Sequence, residues 1–180
     1  MKVIIVMAAS LNGKITRGED NNIYSWTSKE DAKLFFSLIA KNNLIVMGRK
    51  TYEAAQKYIK LQKGKLRIVL THNPKRYLTE RVAGCLEFSS ETPQKLAHRL
   101  EQEGHKKMLV VGGGAVNGLF LKAALVDEIW LTIEPKIFGT GKPLVGNREL
   151  DVALRLKSVR RLNKQGTLHL RYSVKSNIEI

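Results

Sequence analysis

Apolar residues fall in short dense runs separated by polar stretches, and the runs alternate between two patterns. Residues 3–9 (VIIVMAA) are continuously apolar, too few for an ordinary helix, and predict a buried strand. The polar stretch 10–25 carries Gly13, Gly18, Asn21 and Asn22 and predicts a loop. Leu34, Phe35, Leu38 and Ile39 then lie on one helical face, predicting a helix from Thr27 or Ser28 to about Lys41. The run 44–47, ending in Gly48, predicts a second buried strand, followed by a helix from about Thr51 to Tyr58 and a strand over 67–71. Pro74 marks a turn and 86–88 a short strand. Thr92 and Pro93 pair a capping hydroxyl with proline at the first helical position, which starts a helix running to about Glu103. A strand over 108–111 leads into Gly112, Gly113 and Gly114, then a helix over 116–124 and a strand over 128–133. The tail changes character: 153–162 and 167–174 predict a hairpin turning at Gln165 and Gly166.

Strands alternating with helices predict an α/β fold with a mainly parallel sheet and right-handed crossovers, closed at one edge by an antiparallel C-terminal hairpin. No repeat, low-complexity tract or linker interrupts the chain, so residues 1–180 read as a single domain. Ligands of such sheets bind at the carboxyl ends of the strands. That rule directs attention to the turns after Ala9, Met47, Leu70 and Val111.

Composition adds limits to this picture. With 43% hydrophobic and 26% charged residues, 180 residues suit a globular domain with a proper core. One cysteine, Cys85, allows no internal disulfide and suits a reducing cytosol; the N-terminal apolar run is too short to span a membrane. The expected location is cytoplasmic. Charge is the unusual feature, with 31 Lys and Arg against 16 Asp and Glu, a net +15. Such a field attracts polyanions. Yet the cations are scattered, without a block of five and without interleaved aromatics, so nucleic acid is not the partner they favour. The same field draws small anions.

Three glycines between a strand and a helix let the backbone approach a ligand, and the helix start offers free amides to a pyrophosphate. Tight strand-helix packing is the other explanation. Asn117 stands where a Rossmann fingerprint would end in glycine, so that motif is not met. Gly48, Arg49, Lys50 and Thr51 form a second anion site at a helix start, or else a charged cap. Two sites on one sheet suit a dinucleotide, and the paired cations suit the extra phosphate of NADPH. Further back, Thr27-x-x-Glu30 reads as a capping box. That leaves Asp31 either facing the cleft or serving the helix dipole. The four histidines lack metal-ligand spacing, so no metal is expected.

Taken in order, "SLNGKI" (10–15), Trp26 with Asp31, "VMGRKTYE" (46–53), "IVLT" (68–71), "VVGGGAVNGLFL" (110–121) and "DEIWLTIEPKIFGTGKPL" (127–144) resemble the dihydrofolate reductase superfamily. That superfamily includes the reductase domain of the bifunctional riboflavin-pathway deaminase-reductase. The resemblance implies a dihydrofolate reductase-like three-layer sandwich and hydride transfer from NADPH to a C=N bond of a pterin or aminopyrimidine. It implies that Gly48, Arg49, Lys50 and Thr51 bind the adenosine phosphate and pyrophosphate, with Leu70, Thr71 and His72 on the adenosine side. It further implies that Gly112, Gly113, Gly114, Ala115 and Val116 cradle the pyrophosphate and nicotinamide, with Ala8 and Ile15 also touching the nicotinamide. Asp31, Thr132 and Trp26 would form the catalytic side, and Phe35 and Lys65 would add substrate contacts. The loop 12–25 is a candidate lid, and a homodimer is open. Reduction of 7,8-dihydrofolate is the first reading. Reduction of 5-amino-6-(5-phosphoribosylamino)uracil is the second, drawn from "SLNGKI" and "EPKIFGTGKPL". A non-enzymatic nucleic-acid-binding protein is the third, drawn from charge alone.

Overall fold

The apolar runs become inner strands because a strand covered on both faces leaves no place for polar side chains. The computed structural model describes residues 1–146 and 149–175. In chain order the elements are β1 (Lys2–Ser10), α1 (Lys29–Ala40), β2 (Leu44–Gly48), α2 (Arg49–Ala55), β3 (Leu66–Leu70), β4 (Leu86–Ser89), α3 (Pro93–Gln102), β5 (Lys107–Val110), α4 (Gly114–Lys122), β6 (Glu128–Glu134), β7 (Leu154–Arg161) and β8 (Leu168–Val174). They build one sheet of order β4-β3-β2-β5-β1-β6-β8-β7. Strands β1 to β6 pair in parallel, while β8 runs antiparallel to β6 and β7 antiparallel to β8. This is the expected α/β architecture with its C-terminal antiparallel strands.

Alternate residues of each strand face opposite sides, and each side has its own core. Val46, Ile68 and Val110 meet Leu96 and Leu100 of α3 and Phe120 of α4. On the other side Ile45, Met47 and Val69 meet Leu38 of α1 and Tyr52 of α2. Three layers result. No helix among the described residues is long and apolar enough to cross a membrane.

Local differences from expectation have local causes. Helix α2 starts at Arg49 rather than Thr51, because extended Gly48 serves as its cap and Arg49 pairs with Glu53 one turn on, at 2.9 and 2.8 Å. A 3₁₀ turn, Gln56–Tyr58, completes the stretch predicted as helix, and Pro74 opens another, Pro74–Glu80. Helix α4 starts at Gly114, inside the glycine run, with Gly113 as its cap. At α1 the cap is Ser28, not Thr27: its Oγ accepts the Asp31 N–H at 3.2 Å. The frame is thus one residue later than the Thr27-x-x-Glu30 box. Glu30 instead accepts from Asn163 Nδ2 at 3.2 Å, outside the cap.

The candidate lid is tied down over its first half. Ile15 N–H donates to the Lys142 carbonyl at 2.8 Å, Gly18 N–H to Thr140 at 3.1 Å, and Lys142 N–H to Thr16 Oγ1 at 2.8 Å. Gly141 runs so close that a Cβ on it would lie 2.2 Å from the Thr16 carbonyl oxygen.

Candidate active site

The carboxyl ends of β1, β2, β3 and β5 open into one cleft of about 1060 Å³. Its position follows from the sheet order, since neighbouring crossovers leave a crevice there. All the residues singled out from the sequence line it, apart from Trp26 and Gly112.

On the floor, Asp31 occupies the third position of α1 with its backbone N–H already satisfied by Ser28, and the residue is only 8% exposed. Burial pushes its pKa up to about 6; a hydrogen bond with Thr132 opposes this and the Glu134 carboxylate reinforces it. Thr132 on β6 stands opposite His169 on β8 in the antiparallel register, with Oγ1 3.5 Å from Nδ1. Burial, then the charges of Arg171 and Arg160, pushes the His169 pKa down to about 4, so the ring is neutral at pH 7. Its Nε2 is buried and has no hydrogen-bond partner. Asp31, Thr132 and His169 therefore lie in a row from α1 to β8.

Glu134, 2% exposed, fixes that row in place. It accepts the Ser28 N–H at 2.7 Å and the Thr167 hydroxyl at 2.8 Å, joining the start of α1 to β6 and to the chain entering β8. Glu134→Ala would leave both donors unsatisfied. It is expected to cost about 2 kcal/mol or more, read as a lower urea midpoint at unchanged slope.

At the other end the two glycine turns are locked together, Gly48 N–H donating to the Gly112 carbonyl at 2.7 Å. The Gly112–Gly113 peptide is cis. Packing explains two of the three glycines. Gly112 has φ +87° and a Cβ there would lie 2.6 Å from Met7 Sδ; one on Gly114 would lie 2.3 Å from the Pro143 carbonyl oxygen. Gly113 is different, since its nearest neighbours would be Thr51 Oγ1 at 3.4 Å and Ile15 at 3.9 Å. No side chain caps α4; the Val116 N–H donates to the Gly113 carbonyl at 2.9 Å, while the amides of Gly114 and Ala115, both lining the cleft, have no intrahelical acceptor and carry the positive end of the helix dipole.

Two expected site residues lie elsewhere. Trp26 is 2% exposed, packed edge-on against Phe138 at 5.3 Å, and does not line the cleft. The sequence interval of five could not reveal this, because the chain leaves a 3₁₀ turn at Trp26 before α1 begins. Gly112 stands behind the cleft wall on Met7. Lys65 lines the cleft, but its ammonium donates to the Ala40 carbonyl at 2.6 Å and closes the C-terminus of α1. Arg49 also lines it, held on Glu53. His169 was not foreseen, since nothing in an alternating strand tells which position faces Thr132.

Comparison with known proteins is consistent across the chain. The Bacillus subtilis (strain 168) protein YwjB is 27% identical over 173 residues, 93% of this chain and 96% of that one. A pyrimidine reductase-like protein from Corynebacterium diphtheriae superposes with a TM-score of 0.80 at 19% identity, over 98% of this chain and 92% of that one. A diaminohydroxyphosphoribosylaminopyrimidine deaminase/5-amino-6-(5-phosphoribosylamino)uracil reductase from Thermotoga maritima gives 0.72 at 17% identity, over 97% of this chain and 56% of that one. The family described as the RibD C-terminal domain matches residues 1–168, and the chain belongs to that family.

Proposed function

We propose that this protein is an NADPH-dependent reductase acting on an aminopyrimidine of the riboflavin-pathway kind, with the heterocycle held on Asp31. Family membership supports this substrate over dihydrofolate and reverses the order drawn from the sequence. The observation that carries the reading is a buried carboxyl on the floor of a cleft whose far wall is an uncapped helix start.

The residues present fit the cofactor. Amides at the start of α4, with the open face of Gly113, suit a pyrophosphate. Lys50 and Arg49 suit a further phosphate, and Leu70, Thr71 and His72 line the same end. When bound, NADPH supplies a hydride equivalent. Asp31 orients the amino-bearing edge of the ring through charge-assisted hydrogen bonds. With a pKa of about 6, the same carboxyl takes up and releases a proton just below neutral pH, where it can pass one to the substrate. Thr132 fixes the carboxyl, while neutral His169 keeps the wall behind it uncharged. Ala8 and Ile15 give apolar cover that excludes water.

One specific feature favours dihydrofolate as a second reading: a buried carboxyl beside a threonine suits the amino-pyrimidine edge of a pterin. NADPH oxidation measured with 5-amino-6-(5-phosphoribosylamino)uracil and with 7,8-dihydrofolate separates the two. Turnover of the first is expected; turnover of the second alone would reverse the assignment, and absence of NADPH binding would end both. Removing both cations, Arg49→Ala with Lys50→Ala, is expected to weaken NADPH about tenfold or more while changing NADH little, by fluorescence titration.

A further inference from the structure

His169 is a buried imidazole whose two nitrogens meet different surroundings. The antiparallel register sets it directly opposite Thr132, and its Nδ1 lies 3.5 Å from Thr132 Oγ1. Its Nε2 is buried and, among the described residues, meets no hydrogen-bond partner. The residue is 4% exposed, and with a pKa of about 4 the ring is neutral at pH 7, with one proton to place on one of two nitrogens. Arg160 of β7 stands opposite it in register and Arg171 lies two positions on along β8, so both nearby cations oppose a second proton. Glu134 of β6 and Tyr24 of the loop before α1 couple to Asp31 rather than to the ring.

Counting protons selects one tautomer. Thr132 has a single hydroxyl proton and two partners, His169 Nδ1 and the Asp31 carboxyl. With the imidazole proton on Nε2, the hydroxyl would have to donate to Nδ1. The buried Nε2–H would then have no acceptor, and the ionised Asp31 would lose its donor. With the proton on Nδ1, the imidazole donates to Thr132 Oγ1 and the hydroxyl donates to the carboxylate, the stronger, charge-assisted bond. Only the Nε2 lone pair stays unmet. We infer that His169 is a positioning residue: its Nδ1–H holds the Thr132 hydroxyl as an acceptor and so turns the hydroxyl proton onto Asp31, fixing the carboxylate toward the substrate ring. The inference rests on the reductase reading for what Asp31 binds, but not for the chain of bonds itself.

The test is NMR of the isotopically labelled whole chain without ligands. In the wild type at pH 8 the ring nitrogens of His169 are expected to show the Nδ1–H tautomer. Asp31 is then titrated through its carboxyl carbon in wild type, His169→Leu and His169→Asn. Leucine fills the space without a donor, whereas asparagine puts an N–H where Nδ1 stood. The Asp31 midpoint, about 6 in the wild type, should rise by about half a pH unit or more in His169→Leu, because the ionised form loses support. In His169→Asn it should return close to the wild-type value. An Nε2–H tautomer at pH 8 would overturn the proposal, and that measurement needs no variant to fold. So would a His169→Leu midpoint equal to the wild type, or one that asparagine fails to restore, since a side chain that merely fills space would not separate the two variants. With the aminopyrimidine as substrate, kcat/KM should fall as Asp31 loses its proton, and at correspondingly higher pH in His169→Leu; an unmoved profile also overturns the proposal. Absence of turnover in all three proteins defeats the reductase reading instead and leaves the tautomer and the titration to decide the role of His169.

Discussion

Asp31→Asn is expected to lower kcat/KM about 100-fold or more and, at pH 8, to make the protein more stable. The two effects share a cause. The carboxyl is raised from 3.8 to about 6 because burial penalises its ionised form. The native state thus holds the proton more tightly than the unfolded chain, and stability is lost as pH rises from about 4 to about 6. At pH 8 the native protein carries an ionised, buried group at a cost of about 2–3 kcal/mol, taking about 1.4 kcal/mol per pKa unit. Asparagine keeps the shape and drops the charge. Part of the gain is offset by the changed bond to Thr132, leaving a rise of about 3–6 °C in melting temperature. His169 has the opposite slope. Its pKa, lowered from 6.5 to about 4, means that stability is lost as pH falls through that range. In the wild type the two slopes largely cancel between pH 4 and 6. Melts across pH 4–8 should therefore show stability rising with pH in Asp31→Asn and falling with pH in His169→Gln. A lower melting temperature for Asp31→Asn at pH 8 would sink the idea that stability is sacrificed there for chemistry.

How far the sequence could be read depended on whether neighbours along the chain decided the outcome. The buried strands β1, β2 and β3 were legible because their apolar runs had no other place to go. The hairpin of β7 and β8 was legible from its alternation and from Gly166, which adopts φ +98°. Both glycine turns were found, because glycine between a strand and a helix is a local signal. What escaped depended on distant packing. Thr27 and Ser28 are equally good caps in isolation. The choice between them rests on Glu134, more than 100 residues away, which takes the Ser28 N–H and so sets where α1 starts. His169 gained its place from the β6–β8 register. Trp26 was mislaid because an aromatic near an acid can equally be core, and here it meets Phe138.

The glycine run offers the sharpest separation of packing from ligand binding, and Gly113→Ala and Gly114→Ala are expected to fail in different ways. A methyl on Gly114 would meet the Pro143 carbonyl oxygen at 2.3 Å and the Gly146 nitrogen at 2.9 Å. Both are backbone atoms, so the chain over 143–146 must move, at a cost of about 2–3 kcal/mol. Gly112→Ala is strained differently, by its positive φ, while the Met7 side chain it meets can swing aside. Gly113 has ordinary extended geometry and meets nothing closer than 3.4 Å. Alanine there should cost about 1 kcal/mol or less, the difference between the two residues as helix caps. Its methyl would nevertheless stand between the α4 amides and Thr51, in the space assigned to the pyrophosphate. Gly113→Ala should melt within a few degrees of wild type and lose NADPH affinity about tenfold or more, whereas Gly114→Ala should melt markedly lower. Denaturation and NADPH titration on the same two preparations decide the matter. Undiminished NADPH binding by Gly113→Ala would mean that all three glycines serve packing, and that the phosphates lie elsewhere in the cleft.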